Sequence, residues 1–310
     1  MSTTARKAVS IVEVSPRDGL QSDATMLSTG EKVELIQRIV AAGLQRVEVV
    51  SFVNPQRVPQ MADSAAVMAA LNSPGVIPNR EQVSFAGLVL NARGLDNAFA
   101  ALVDEMNFAV VATDTFATKN QGKDTAGLIT QWREVGAAAR AGGLFTSVTI
   151  AASFGCPYEG EVALSRLEMV LSEIMMCPPD EIALADSIGV ATPHDVRERV
   201  ALAQEIVGGT RLRCHFHNTR NTGFANAIAA VETGVTVLDS SLGGIGGCPF
   251  APNATGNIAT EDLVYMLHRM GYDTGINLDR ACATIPWLEA SLRHPTPGLL
   301  AKAGVFPPAS

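Results

Sequence analysis

Residues 211–257 read RLRCHFHNTRNTGFANAIAAVETGVTVLDSSLGGIGGCPFAPNATGN. The apolar run closing on His215 predicts a strand, the small-residue stretch from Gly223 to Thr233 a helix, and Thr236–Ser240 a second strand, so the stretch is one strand, helix, strand unit. His215 and His217 stand two apart, and side chains two apart on a strand leave from the same face. Two neutral imidazoles so placed are a ready metal pair. After the second strand, GGIGGCP carries a single cysteine, Cys248, and Asn257 follows nine residues later.

Outward from this unit the same alternation runs through the chain. Strands are expected near Ile11–Val14, Arg46–Val50, Val83–Leu90, Met106–Ala112, Thr146–Ala151, Glu181–Ala185, Arg211–His215 and Thr236–Ser240. Helices are expected at Thr29–Ala42, Gln60–Leu71, Leu95–Leu102, Ala126–Ala141, Val162–Met175, Pro193–Val207, Gly223–Thr233 and Thr260–Arg269. Ser28 or Thr29 fits a helix N-cap, Thr192-Pro193 an N-cap followed by a first-turn proline, and Gly43 a helix end. Eight such units predict an α/β protein, a single closed (β/α)8 TIM barrel. A doubly wound open sheet is the competitor, but no GxGxxG follows the first strand and no GxxxxGK[ST] occurs. From about 277 the pattern turns irregular, with Pro286, Pro295 and Pro297. The expected organisation is a catalytic barrel over 1–276 and a short helical or extended C-terminal extension over 277–310 packing on it.

Composition narrows the function class. Hydrophobic residues make up 47% of the 310 but aromatics only 5%, which suits an aliphatic interior of packed strands and helices. The net charge of −8 argues against a nucleic-acid or anionic membrane surface, where clustered Lys and Arg are expected. Five cysteines without a CxxC read as a reduced, cytoplasmic protein rather than a disulfide framework. The N-terminal stretch has no apolar core of a signal peptide, and no run approaches the roughly 20 apolar residues of a membrane helix.

In a barrel of this kind the chemistry lies at the C-terminal ends of the strands. There the chain places Arg17 and Asp18 after the first strand, Glu48 in the second, Asp186 after the sixth, His215 and His217 on the seventh, and Cys248 and Asn257 after the eighth. Asp18, His215, His217 and Asn257 form a mixed oxygen and nitrogen ligand set suited to a divalent ion such as Mg²⁺ or Mn²⁺, with zinc or iron as alternatives. Cys248 fits an acid/base or redox-sensitive thiol better than a ligand. Each residue also has a purely structural reading: the histidines as core or hydrogen-bonded side chains, Asp18 capping the turn at Gly19, Asp186 capping the helix that follows, Glu48 as a paired interior charge, Cys248 as a buried thiol, Asn257 as a turn residue.

Several of these stretches belong to one pattern: VEVSPRDGLQ (12–21), VEVVSFVNPQRVPQMAD (47–63), SFGCPYEG (153–160), ADSIGVATP (185–193), HFHN (215–218) and DSSLGGIGGCPFAPNATGNIATEDLVYML (239–267). The chain resembles the 3-hydroxy-3-methylglutaryl-CoA lyase family, within the metal-dependent barrel lyases and acyl-CoA condensing enzymes, along nearly its whole length. The resemblance implies Asp18, His215, His217 and Asn257 as metal ligands and Arg17 as the cation that meets enolate charge. It implies Glu48 as a metal-site or proton-transfer carboxylate, Cys248 as the acid/base of a mobile loop, Asp186 as a substrate-orienting group, an acyl-CoA thioester substrate and a possible homodimer. Where the family reads HxHDTYG this chain reads HFHNTRNTG, and Thr113-Asp114 replaces a small-residue/Ser-Glu pair. Arg220 thus adds a cation near the site, either serving a substrate with a different acidic arm, citramalyl-type or longer-branched, or turning outward to a neighbouring acid. The competing activities are an acyl-CoA condensing synthase and a non-catalytic acyl-CoA or protein binder.

Overall fold

A computed structural model describes residues 7–247 and 256–307. Eight parallel strands close into a ring: β1 (Ser10–Glu13), β2 (Arg46–Ser51), β3 (Ser84–Val89), β4 (Glu105–Val111), β5 (Phe145–Ala151), β8 (Glu181–Asp186), β9 (Arg211–Phe216) and β10 (Val237–Ser240). The ring is sealed where β1 runs beside β10, from Ser10 opposite Val237 to Glu13 opposite Ser240. Helices lie between successive strands, so the architecture is a TIM barrel, as the alternation predicts. The two remaining strands, β6 (Gly155–Cys156) and β7 (Gly160–Glu161), form a small antiparallel hairpin after β5.

Local chemistry sets the helix starts. Ser28 and Glu31 form a capping box at α1 (Thr29–Ala41), and Thr192 and Asp195 do the same at α7 (Pro193–Val207), each satisfying amide donors that the first turn cannot pair internally. α1 turns Leu35, Ile36 and Ile39 to the sheet, and α5 (Thr125–Ala141) turns Leu128, Trp132 and Val135. With α3 (Ala92–Ala100), α6 (Leu164–Ile174), α8 (Gly223–Glu232) and α9 (Thr260–Arg269) these faces cover the barrel in an aliphatic shell. No helix among the described residues is long and apolar enough to cross a membrane.

Three elements depart from the sequence expectation. The helix expected over Gln60–Leu71 is a short 3-10 turn, Pro59–Met61, followed by α2 (Ser64–Leu71); Asp63 between them gives its carboxylate to Thr29 and Lys32. An unforeseen helix, α4 (Asp114–Gln121), follows β4; only Phe116 and Ala117 are buried in it, too little for an apolar period to be visible. The tail forms a 15-residue helix, α10 (Leu278–Leu292), and a short α11 (Leu300–Ala303). Pro286 lies on the exposed side of α10 while Ala281, Ile285, Leu288 and Leu292 are buried against α1 and α9.

Candidate active site

The loop after β1 is wound into one tight turn, Ser15–Gly19, in which the amides of Arg17, Asp18 and Gly19 all converge on the carbonyl of Val14. This aims Arg17 and Asp18 over the barrel mouth. Gly19 is required there, because a Cβ would lie 2.7 Å from Ile245 of the glycine-rich loop. On β9, Arg213, His215 and then His217 follow one inward face at period two. Asn257 arrives from the far side of the loop: the segment 256–260 is laid between the ends of β9 and β10 by bonds from Asn218 N to Gly256 O, Ile258 N to Phe216 O and Ser241 N to Ile258 O. Gly246, at φ +108°, lets the loop pass Asn257 closely, since a Cβ there would meet Asn257 Nδ2 at 2.7 Å.

These elements bring together one ligand atom each from Asp18, His215 and His217, all within 4.8 Å of one another. Asn257 joins them by donating from Nδ2 to Asp18 Oδ2 (2.9 Å) and to the Ile245 carbonyl (3.1 Å). Its Oδ1 and the Nδ1 of His217 are buried without a hydrogen-bond partner among the described residues, which natural interiors rarely tolerate without an unseen ligand. A carboxylate, two imidazoles and an amide oxygen left free suit a divalent ion; the four residues fit one. Burial works to raise the Asp18 pKa, but Arg17 and the two histidines outweigh it and hold the carboxyl down at about 2. Burial and the neighbouring His215 push His217 down to about 4, so its imidazole is neutral and its lone pair free at neutral pH. Burial also opposes charge on His215, but a bond and ion pair to Asp239 (3.1 Å to Nδ1) and the charge of Asp18 raise its pKa. With Nδ1 committed to Asp239, Nε2 is the nitrogen of His215 left for a ligand.

A cavity of about 680 Å³ opens over this group, lined at its inner end by Arg17, Asp18, Glu48, Asn107, Thr149, His215 and His217. Arg17 donates from Nε to Glu48 Oε1 and from Nη1 to Asp18 (2.8 Å). Burial disfavours the guanidinium, but Glu48 and Asp18 more than restore it and keep Arg17 firmly cationic. Asp186 sits apart from the cavity lining: both its oxygens accept backbone amides, Val190 N at 3.0 Å and Ala191 N at 2.9 Å, which shapes the turn leading into α7. Cys248 lies outside the described residues; its neighbour Gly247 lines the cavity. Arg220 is exposed and is not among the residues lining the cavity. Its Nη1 donates to the carbonyls of Ile188 (2.9 Å) and Gly189 (3.0 Å), tying the loop after β9 to the loop after β8. Asn107 and Asp239 were not singled out from sequence. The signal for Asn107 was a lone amide in the apolar run EMNFAVV, and for Asp239 a carboxylate at the end of the eighth barrel strand.

The sequence model of the HMGL-like family matches residues 8–286. The chain is 40% identical over 306 residues to the (R)-citramalyl-CoA lyase of Chloroflexus aurantiacus, covering 97% of this chain and 96% of that one. It is 37% identical to the mitochondrial hydroxymethylglutaryl-CoA lyase of Bos taurus, over 97% of this chain and 90% of that one. Among solved structures it resembles an HMG-CoA lyase from Acinetobacter baumannii in complex with coenzyme A and 3-methylmalate, with TM-score 0.91, 35% identity, and 98% and 97% of the two chains covered.

Proposed function

Because the chain belongs to the HMGL-like family, we propose that it cleaves a 3-hydroxy-3-methyl acyl-CoA whose acyl arm ends in a second carboxylate, releasing acetyl-CoA and an oxo acid. It is a carbon–carbon lyase acting on a CoA thioester. The observation that carries the reading is one cavity with two kinds of lining. Arg17, Asp18, Glu48 and the two histidines sit at its inner end, and the exposed cations Arg57, Lys119 and Lys123 line its outer part. In a chain of net charge −8, three cations on one cavity complement the phosphates of a CoA nucleotide.

Cleavage removes the proton of the tertiary hydroxyl, breaks the bond between C2 and C3, holds the electron pair as a thioester enolate and then protonates C2. Glu48, buried beside Arg17, takes the hydroxyl proton. Arg17 meets the negative charge that grows on the thioester oxygen only as the bond breaks, which is where electrostatic help lowers a barrier. Asp18, His215, His217 and Asn257 would hold a divalent ion, Mg²⁺ or Mn²⁺, whose bound charge lowers the pKa of an alcohol at this position. The proton returned to C2 is assigned to Cys248.

Two acyl arms fit this chemistry and differ by one methylene. 3-Hydroxy-3-methylglutaryl-CoA would give acetoacetate. Citramalyl-CoA would give pyruvate and is favoured by the 40% identity to the Chloroflexus enzyme. The deciding assay follows acetyl-CoA release from each by purified protein with Mg²⁺ or Mn²⁺, beside a chelated sample and His217→Ala. We expect metal-dependent turnover of one arm, lost with the chelator and the variant. Acetyl-CoA from neither, or thiol release only when acetyl-CoA is mixed with a 2-oxo acid, would replace the lyase reading, the latter by a synthase.

A further inference from the structure

We propose that Asn107 is a positioning residue for this reaction, holding Glu48 in the rotamer that pairs it with Arg17; the inference rests on the lyase reading above. Asn107 lies in the middle of the barrel-facing side of β4, 3% exposed and on the cavity lining. Its Oδ1 accepts hydroxyls from two side chains of the next strand, Ser147 Oγ at 3.2 Å and Thr149 Oγ1 at 3.0 Å. A hydroxyl can donate or accept, so the other end fixes the orientation: the Glu48 carboxylate, paired with Arg17, only accepts, and the end of the amide that faces it must be the donor. The amide nitrogen therefore faces Glu48 and donates to Oε2 at 2.9 Å.

Glu48 is thereby gripped from both sides, Oε1 by Arg17 Nε and Oε2 by Asn107. A glutamate's terminal torsion is broad on its own, so a carboxylate bound at one oxygen alone would turn about that bond and carry the Arg17 guanidinium with it. Arg17 shares Nη1 with Asp18, so a displacement of Glu48 reaches the cation at the reacting centre. Among the described residues the Asn107 amide nitrogen makes no other hydrogen bond. An apolar side chain of the same size would leave Glu48 Oε2 without this donor and the Ser147 and Thr149 hydroxyls without this acceptor.

A structural role and a positioning role separate in a double-mutant cycle. The rates of acetyl-CoA release are compared for the wild type, Asn107→Leu, Glu48→Gln and the double variant, on whichever substrate the wild type turns over. Misplacing a catalytic group by about 1 Å costs up to about 100-fold. We expect Asn107→Leu to lower kcat about 10- to 100-fold with KM within about threefold, and to cost less than about threefold more when Glu48 is already Gln. Asn107→Asp, which keeps the shape and replaces the donor by an acceptor, should lose at least as much and covers the case in which the leucine variant does not fold. A full second loss on top of Glu48→Gln, or kcat within threefold of wild type in both Asn107 variants, overturns the proposal while the lyase reading stands. A wild type inactive on every acyl-CoA offered overturns the lyase reading, and the proposal with it.

Discussion

The barrel interior is charged at both ends, and the two ends treat their charges differently. Toward the N-terminal ends of the strands, Arg46 donates to both Glu105 (2.7–2.9 Å) and Glu181 (2.8 Å), and Arg213 lies between Glu181 (3.2 Å) and Asp239 (3.3 Å). Burial disfavours the Arg46 cation, but Glu181 and Glu105 more than compensate. At the C-terminal end His217 and Asn257 are buried and Asp18 and His215 partly so, yet Asn257 Oδ1 and His217 Nδ1 have no partner among the described residues. A buried polar atom left unpaired costs about 1–3 kcal/mol. Arg213 Nε and Asp239 Oδ1 also make no hydrogen bond among the described residues, but Arg213 faces the opposite charges of Glu181 and Asp239 at 3.2 and 3.3 Å. Charge matched by charge at one end therefore serves the fold, and polar atoms matched by neither at the other suit a ligand. Asp239 joins the two, with Oδ1 toward Arg213 and Oδ2 on His215. Charge alone does not mark a site; charge with vacant valence does.

Breaking each end in turn sharpens the contrast. Asp18→Asn should weaken Mn²⁺ binding by more than about 100-fold, since even the outer partners of metal ligands are worth about 10- to 100-fold, while the urea midpoint stays close to wild type. Calorimetric titration with Mn²⁺ reads the first and denaturation the second; a variant that binds Mn²⁺ normally would remove Asp18 from the ligand set. Arg46→Met should do the reverse. It strands Glu105 and Glu181 in the interior and should cost about 3–5 kcal/mol of stability, with Mn²⁺ affinity of the folded protein unchanged. A stability loss below about 1 kcal/mol would mean that the N-terminal charges are not a structural unit.

The smallest effect tests a carboxylate at the site end that no cation saturates. Glu261 is fully buried; Oε2 accepts the Gly243 amide (3.0 Å), Oε1 has no partner among the described residues, and burial pushes its pKa up to about 8. An acid whose folded pKa is raised from the usual 4.5 binds its proton more tightly when folded, so its contribution is fully present below about pH 4.5 and is lost as pH rises toward 8. Between pH 5 and 8 the wild type should lose roughly 1–3 kcal/mol relative to Glu261→Gln. Urea midpoints of both proteins at the two pH values measure this, and parallel pH profiles would show that Glu261 does not carry the linkage.

Much of the site was legible in the sequence because its carriers are local. The spacing of His215 and His217 dictates a shared face on any strand, and eight strand-helix alternations with polar residues after the strands dictate a barrel with its chemistry at one end. What the sequence left open was decided by partners distant along the chain. Arg220 gives its Nη1 to carbonyls of the neighbouring loop, an outcome that depends on which loops the closed ring sets side by side; Asp186, by contrast, turns its carboxylate to the amides of Val190 and Ala191, only four and five residues on. Asn107 reads in sequence as a blemish in an apolar strand, and only Glu48, 59 residues away, gives its amide a direction. Backbone period is a property of a few consecutive residues and survives translation from sequence to structure. Hydrogen-bond saturation is a property of the assembled interior, so it belongs to the tertiary structure alone.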